Sequence, residues 1–327
     1  MIGHVVMRLV AAYAWGAAAL LALGLLAPTD AGPLALLQLL APYLALLAVV
    51  VVPIVIATRS GSSALPLALT ALLFIVRFGG EWTSLGAGAS PPDVAVATWN
   101  MQAGVNTGRT AVAMLRDQAV DIVALQELTP EVAAAIDSDE RLMSLYPHRV
   151  LEARASVSGM GILSRYPIES WDYATDPVRL EAHLRLPDRD LVLIDAHPFH
   201  ADLDLVSGIP IGMDPGNRDL ELKLLKARVD DLEATGSDVL LLGDFNTAPT
   251  ELAFGVVAAG LHDAHAEAGW GPGWTWRPTA AEFLGIGLLR IDRVLSTPRI
   301  VPVSTAVTCP PVGDHCLVEA ALALGDR

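Results

Sequence analysis

The chain has 327 residues, 53% of them hydrophobic and 17% charged, with a net charge of −15. A soluble globular domain carries nearer a quarter charged residues, so part of this chain is suited to lipid and a wholly soluble protein is excluded. Only two lysines are present, Lys223 and Lys226, so duplex nucleic acid, which needs clustered basic groups to displace its counterions, is an unlikely partner.

The apolar excess is local. Residues 1–92 hold Arg8, Arg59 and Arg77 against Asp30 and Glu81, a net of +1, which leaves −16 on the other 235 residues. Three apolar runs stand at residues 9–27, 33–57 and 65–78. A helix needs about 20 residues to cross about 30 Å of hydrocarbon. The first two runs suffice; the third does so if residues 62–65 enter the membrane and Arg77 snorkels to the interface beside an anchoring Trp82. The reading is a membrane anchor over residues 1–82 with three transmembrane helices. Arg8 and Arg59 place the N-terminus in the cytoplasm, so three crossings make this a multi-pass cell-membrane protein with the remainder of the chain extracytoplasmic. The GAGASPP stretch ends a linker over residues 83–92, and one domain fills 93–327.

Within that domain, strands and helices mix. Residues 94–99 form a β-rich run, 109–118 a helix and 122–125 a short buried strand, after which Thr129-Pro130 supplies a cap and a first helical proline. Residues 178–186 alternate apolar and polar, as a half-exposed antiparallel strand does, and 191–196 runs beside it. An amphipathic helix spans 219–232, a buried strand 239–242, and strands return at 291–295, 300–308 and 317–324. This order predicts an α+β fold with two layered sheets.

Polar residues interrupt these strands at their ends: Asn100, Glu127, His197, Asp244 with Asn246, Asp292, and Asp314 with His315. So many groups are costly to desolvate singly, so they are expected to share one cleft. Carboxylates and carboxamides without Cys pairs or clustered histidines suit Mg²⁺ or Mn²⁺, an ion that neutralises phosphate charge and positions an attacking water.

The ordered strings WNMQ, DIVALQE, GMGILSRYPI, DAHP, GDFN, RIDRV and GDH resemble the endonuclease/exonuclease/phosphatase superfamily across essentially all of residues 93–324. The apolar runs ahead of them are similar to its membrane-anchored bacterial branch, which includes teicoplanin-resistance-type proteins. The resemblance implies a four-layered α/β/β/α sandwich of two mixed sheets. It makes Glu127 the principal Mg²⁺ ligand, with Asn100 holding phosphate or a metal-bound water and Asp314 a second metal-side carboxylate. Asp244 then positions or deprotonates the nucleophilic water, Asn246 orients a phosphate oxygen, His197 lies near the leaving group, and Asp292 holds His315 toward the phosphate. Where the family often has Ser before the Asp-His pair and Arg-Pro after it, Gly313, Cys316 and Leu317 stand here, which puts one substrate contact in doubt.

The expected function is a membrane-anchored, Mg²⁺-dependent phosphoesterase acting on a phosphate ester or anhydride, lipid-linked because tethering concentrates the enzyme only on targets at the same surface. An extracellular nuclease and a non-catalytic tethered protein are the alternatives. Several residues stay open. Asp292 could instead pair with Arg290 or Arg293; His200 reads as a surface histidine, His183 as solvated, and Trp274-Thr275-Trp276 as core. Cys309 and Cys316 flank the Asp314-His315 corner as a disulfide or as two thiols. The apolar loops 205–213 and 283–289 are satellite core or lipid-admitting walls.

Overall fold

The computed structural model describes residues 2–50, 52, 53, 55, 61–84 and 91–325. The chain divides into two compact units: Met1–Glu81 with Ala201–Gly216 and Thr250–Leu252, and Trp82–His200 with Asn217–Pro249 and Ala253–Arg327.

Alternation along the strands decides the layering of the larger unit. One sheet has the order β13-β14-β1-β2-β4-β3, built from Ile300–Thr308, Leu317–Leu324, Val94–Asn100, Ile122–Gln126, Met160–Ser164 and His148–Glu152. The other runs β11-β12-β10-β7-β6-β5, from His262–Asp263, Asp292–Ser296, Val239–Asp244, Asp190–Ala196, Val178–Arg185 and Ile168–Thr175. Each sheet is mixed: β1 with β2, and β7 with β10, are parallel pairs among antiparallel ones. Side chains at every second position, Val96, Ile122, Ala124, Leu191, Leu193, Leu240 and Leu242, meet between the sheets in one core. The intervening residues Ala97, Val123 and Leu125 face helices α5 (Gly108–Arg116), α6 (Pro130–Asp137) and α7 (Glu140–Leu145). On the second sheet Val192, Ile194 and Leu241 face α8 (Arg218–Ala234) and α9 (Leu252–Val257). The layers are therefore helix, sheet, sheet, helix. Each fully buried Leu, Ile or Val contributes about 1.5–3 kcal/mol, so the period-two pattern favours the sheets packing face to face.

Local signals act where expected. Thr129 accepts from Val132 N at 3.4 Å ahead of Pro130. Strand β6 differs from the half-exposed reading at Glu181, which is buried because Arg228 clamps its carboxylate with Nε at 2.9 Å and Nη2 at 2.6 Å.

In the smaller unit, α1 (Ile2–Leu26) and α4 (Gly61–Trp82) contain the two segments, among the described residues, long and apolar enough to cross a membrane, 22 and 20 residues. Three continuous helices were expected. The middle run is instead broken into α2 (Gly32–Leu39) and α3 (Ala41–Val50), because Pro42 has no N–H to continue the ladder and Leu40 closes the first piece. Ser63 Oγ donates to Met7 O at 3.0 Å and Thr70 Oγ to Ala14 O at 2.9 Å, so α1 and α4 run parallel. Arg59 and linker residues 85–90 lie outside the described residues. Arg77 Nη2 donates to Thr250 O at 2.9 Å, and the Trp82 ring packs edge-on against Trp274, with centroids 5.8 Å apart.

The unit also contains a hairpin, β8 (Asp202–Val206) and β9 (Ile209–Asp214), closed by Ser207-Gly208, both left-handed as a two-residue primed turn requires. Strand β9 packs on α2. At Gly212 a Cβ would lie 2.8 Å from Asp204 Oδ2, 3.2 Å from Gly32 C and 3.3 Å from Pro33 N, so a side chain here would crowd this close backbone approach.

Candidate active site

The expected residues meet at the C-terminal ends of β1, β2, β7 and β10, all in the larger unit. Asp244 Oδ2 is the centre. Asn100 Nδ2 donates to it at 3.0 Å, and the Nε2 atoms of His197 and His315 each lie 3.6 Å away. Asn100 Nδ2 also donates to Glu127 Oε1 at 3.0 Å, while Ala103 N holds Glu127 Oε2 at 2.8 Å. The other Asp244 oxygen accepts from Asn246 N at 2.9 Å, and Asn246 Nδ2 donates to Pro198 O at 3.0 Å. His197 is oriented by Nδ1 against Val157 O at 3.0 Å, which turns Nε2 toward Glu127 and Asp244.

Asp292 touches His315 and neither neighbouring arginine. His315 Nδ1 lies 3.0 Å from both of its oxygens, whereas Arg290 and Arg293 bind Asp263 at 2.8 and 3.0 Å. Burial resists charge on the Asp263 carboxyl, but the two guanidiniums outweigh it and hold the group at about 2. Burial likewise disfavours a charged His315; Asp292, then Asp244 and Asp314, overcome that and raise the imidazole to about 10. The proton of the buried pair therefore belongs on His315, poised beside the cleft.

Donor chemistry fits a hard divalent cation. Asp314 Oδ1 is buried with no hydrogen-bond partner, and burial, then the Glu127 charge, push its carboxyl up against the pull of His315. Glu127, Asp314 and the Asn100 amide supply oxygen ligands of the kind Mg²⁺ takes. Asp244, Asp292 and His315 also bring ligand atoms within 4.8 Å of one another and form a second group that could hold a metal ion.

The backbone is bent to make these contacts. Four described residues other than glycine have positive φ, and Gln102, Glu127 and Asn246 are three of them, at 50°, 57° and 50°. Left-handed backbone in such residues persists only where surrounding structure fixes it, and functional sites are where it collects. Three contributors were not singled out from sequence. Gln102 Oε1 accepts from Asp314 N at 3.1 Å, Thr275 Oγ accepts from Asp292 N at 3.1 Å, and Arg218 Nη1 donates to Asn246 O at 3.1 Å. Gln102 sat inside the WNMQ string and Thr275 inside the Trp-Thr-Trp string, where flanking aromatics masked it. Gly313 is explained by φ 105° and by Asn106 Nδ2, 2.9 Å from where a Cβ would stand, so serine does not fit here. Cys309 and Cys316 form a disulfide around the Asp314-His315 corner. His200 is exposed, as expected.

The loops bearing these residues present exposed Val105, Val157, Phe199 and Val312. The 283–289 loop is not satellite core: Phe283 is 83% exposed, and Leu284 and Ile286 are exposed with it.

Solved structures share this fold. D. rerio TDP2 complexed with single-strand DNA product is 18% identical, with TM-score 0.54, covering 70% of this chain and 98% of its own. A variant of the 3′ phosphatase NExo from Neisseria, bound to a product DNA hairpin, is 22% identical, with TM-score 0.53 and coverage of 70% and 99%. An endonuclease/exonuclease/phosphatase from Beutenbergia cavernae is 20% identical, with TM-score 0.51 and coverage of 72% of each chain. No curated protein sequence matches the chain. Two of these structures hold DNA, one a single strand and one a hairpin, against the expectation that nucleic acid is an unlikely partner. The sequence model of the Endonuclease/Exonuclease/phosphatase family matches residues 97–315, about two thirds of the chain, and the chain belongs to that family.

Proposed function

We propose that the chain is a membrane-anchored, Mg²⁺-dependent phosphoesterase of the membrane-anchored bacterial branch of its family, hydrolysing a lipid-linked phosphate ester or anhydride. The observation that carries the reading is Asp244 Oδ2, around which Asn100, His197 and His315 converge beside Glu127. In this reading Glu127, Asp314 and Asn100 would hold the ion, which would supply charge neutralisation on the phosphate. Asp244, its second oxygen fixed by Asn246 N, orients a water and accepts its proton. The His315 imidazolium, held by Asp292, stabilises negative charge developing on the phosphoryl oxygens. Asn246 donates its remaining amide hydrogen to a phosphate oxygen, and His197 faces the leaving group.

Anchoring is supported by the parallel α1 and α4, because a chain that crosses twice in one direction must return between them. The α2–α3 run, broken at Leu40, lies between them in the chain. The disulfide supports an oxidising, extracytoplasmic location for the catalytic domain. A lipid-linked substrate is supported by the apolar residues on the site loops and by the lack of a lysine in any of them.

DNA in two related folds favours a second reading, a nucleic-acid phosphodiesterase. Wild type and His315→Ala are compared on isoprenyl pyrophosphate, a sphingomyelin-like diester and single-stranded DNA, each with Mg²⁺ and with EDTA. Metal-dependent turnover of a lipid substrate, lost in His315→Ala, is the expected result. Turnover of DNA alone selects the second reading, and turnover indifferent to both EDTA and His315 overturns the mechanism.

A further inference from the structure

We propose that the β8–β9 hairpin is a membrane wedge, seating its turn in the interfacial region of a phospholipid bilayer beside the anchor helices. The inference rests on the anchor reading above and adds a second, non-spanning contact with lipid.

Residues 205–213, LVSGIPIGM, carry no charge, and the charged groups of the hairpin, Asp202, Asp204 and Asp214, gather at its open end. A loop that belonged to a satellite core would bury its aliphatic residues. Here Leu205 is 59% and Ile209 65% exposed, with Val206 and Ile211 exposed beside them, so the tip forms an apolar patch that monomeric soluble proteins avoid. A two-stranded ribbon is marginal alone. This one is fastened to the anchor unit by Gly212 against Gly32 and Pro33.

The level of that attachment identifies the occupant. Gly32 and Pro33 open α2, six residues after α1 ends at Leu26. A Cβ at Gly24, near the end of α1, would lie 3.7 Å from Arg77 Nε and 3.9 Å from Gln38 Cγ, so the C-terminal parts of α1 and α4 stand together at this end. Polar groups collect there: Gln38 Nε2 donates to Ala27 O at 3.1 Å, Asp30 Oδ1 accepts from Leu252 N at 2.7 Å, and Arg77 binds Thr250 O. An end where long apolar helices stop and polar groups begin is the plane of the headgroups if those helices span. The apolar turn fixed at that plane is continuous with the lipid-facing surface, and bilayer lipid is the occupant that covers it.

The test uses the full chain in nanodiscs of phosphatidylcholine and phosphatidylglycerol, with the native disulfide kept oxidised. An environment-sensitive fluorophore is placed on Ile209→Cys and, separately, on Leu205→Cys. Leu72→Cys, exposed on α4, and Glu233→Cys, exposed on α8, are the spanning and aqueous controls. Quencher-bearing lipid should lower emission at 209 and 205 by on the order of twofold, more with the quencher near the headgroup than at mid-bilayer, and leave 233 unchanged. If 72 is quenched while 209 and 205 behave as 233 does, the wedge is overturned and the anchor stands. If 72 is not quenched, the anchor reading fails and the wedge with it. Labels at 209 and 205 that are shielded from aqueous iodide yet untouched by lipid quencher mean a protein or a second copy covers the tip, which also overturns the proposal.

Discussion

Replacing Asp292 with Asn keeps the shape of its side chain and removes the charge that holds a proton on His315. Both oxygens lie 3.0 Å from Nδ1, and both residues are buried, so water cannot screen the lost interaction. The imidazole stands at about 10 against an ordinary 6.5. At 1.36 kcal/mol per unit that rise corresponds to about 5 kcal/mol net of the opposing burial, with Asp292 the largest favourable contributor, and breaking a buried pair costs about 3–5 kcal/mol. In Asp292→Asn, His315 should then lose its proton below pH 8. If imidazolium is the species that stabilises the phosphoryl charge, kcat at pH 8 falls by about 10²–10⁴. Two measurements check this. Nitrogen-15 shifts of His315 in metal-free protein should show imidazolium through pH 9 in wild type and titration near or below its ordinary value in the variant. With saturating Mg²⁺ and a soluble chromogenic phosphodiester, the variant should recover part of its rate between pH 8 and pH 6. An unshifted His315 titration, or a rate within threefold of wild type at both pH values, would refute the reasoning.

Asp195 is buried between the sheets, where desolvation pushes its carboxyl well above the usual range despite Gln126 Nε2 at 2.6 Å. The folded state holds a proton there that the unfolded chain releases above about pH 4, so this residue makes stability fall as pH rises from that value toward the raised one. Asp195→Asn should flatten that slope in denaturant titrations from pH 4 to pH 8, and an unchanged slope would contradict a neutral Asp195. Gly313→Ala meets both φ 105° and Asn106, and should lose about 1–3 kcal/mol in the same titrations. Stability equal to wild type would show that the corner relaxes freely. Replacing Cys309 and Cys316 together with Ser releases a loop closed across a separation of seven residues, which costs about 2–3 kcal/mol by chain entropy. Reductant should reproduce that loss in wild type and leave the double variant unaffected.

The residues legible in the sequence are those at strand ends, because an apolar run that stops at a carboxylate or an amide has no bland explanation in a buried layer. Glu127, Asp244 and His315 stand out this way; His315 lies at Asp244 Oδ2, and Glu127 is joined to the same oxygen through Asn100. What escaped lies across the sheets. Gln126 and Asp195 occupy inward positions of β2 and β7, in step with Ile122, Ala124, Leu191 and Leu193. Each looks like an error in its own strand, and only the stacking of one sheet on the other pairs them. The middle apolar run failed for a different reason. Hydropathy averages over a window, and one proline at position 42, in the first turn of α3, hardly changes that average while the helix is interrupted at Leu40.

The backbone explains why strand-end polar residues become a site and not a row of caps. In an ordinary strand Gln126 and Glu127 would point to opposite faces, and Glu127 would continue outward toward the helices. Its φ of 57° turns the chain one residue past the last paired position, Gln126, and Ala103 N, from the turn after β1, seizes Oε2. That neighbouring turn is itself reversed at Gln102, whose side chain then reaches Asp314 N, and the same inversion at Asn246 brings its N–H back onto Asp244. Three costly conformations are thus locked by hydrogen bonds that each run to another site residue, so they stabilise one another cooperatively. Gln102→Ala therefore should act beyond the one bond it removes. It frees Asp314 N and relaxes the turn that holds Glu127, so Mg²⁺ affinity, read by isothermal titration on the full chain, should weaken by about 10–100-fold, as loss of an outer-shell partner does at metal sites. Unaltered affinity in Gln102→Ala would mean that Glu127 is positioned without this turn, and the mutual support argued here would be wrong.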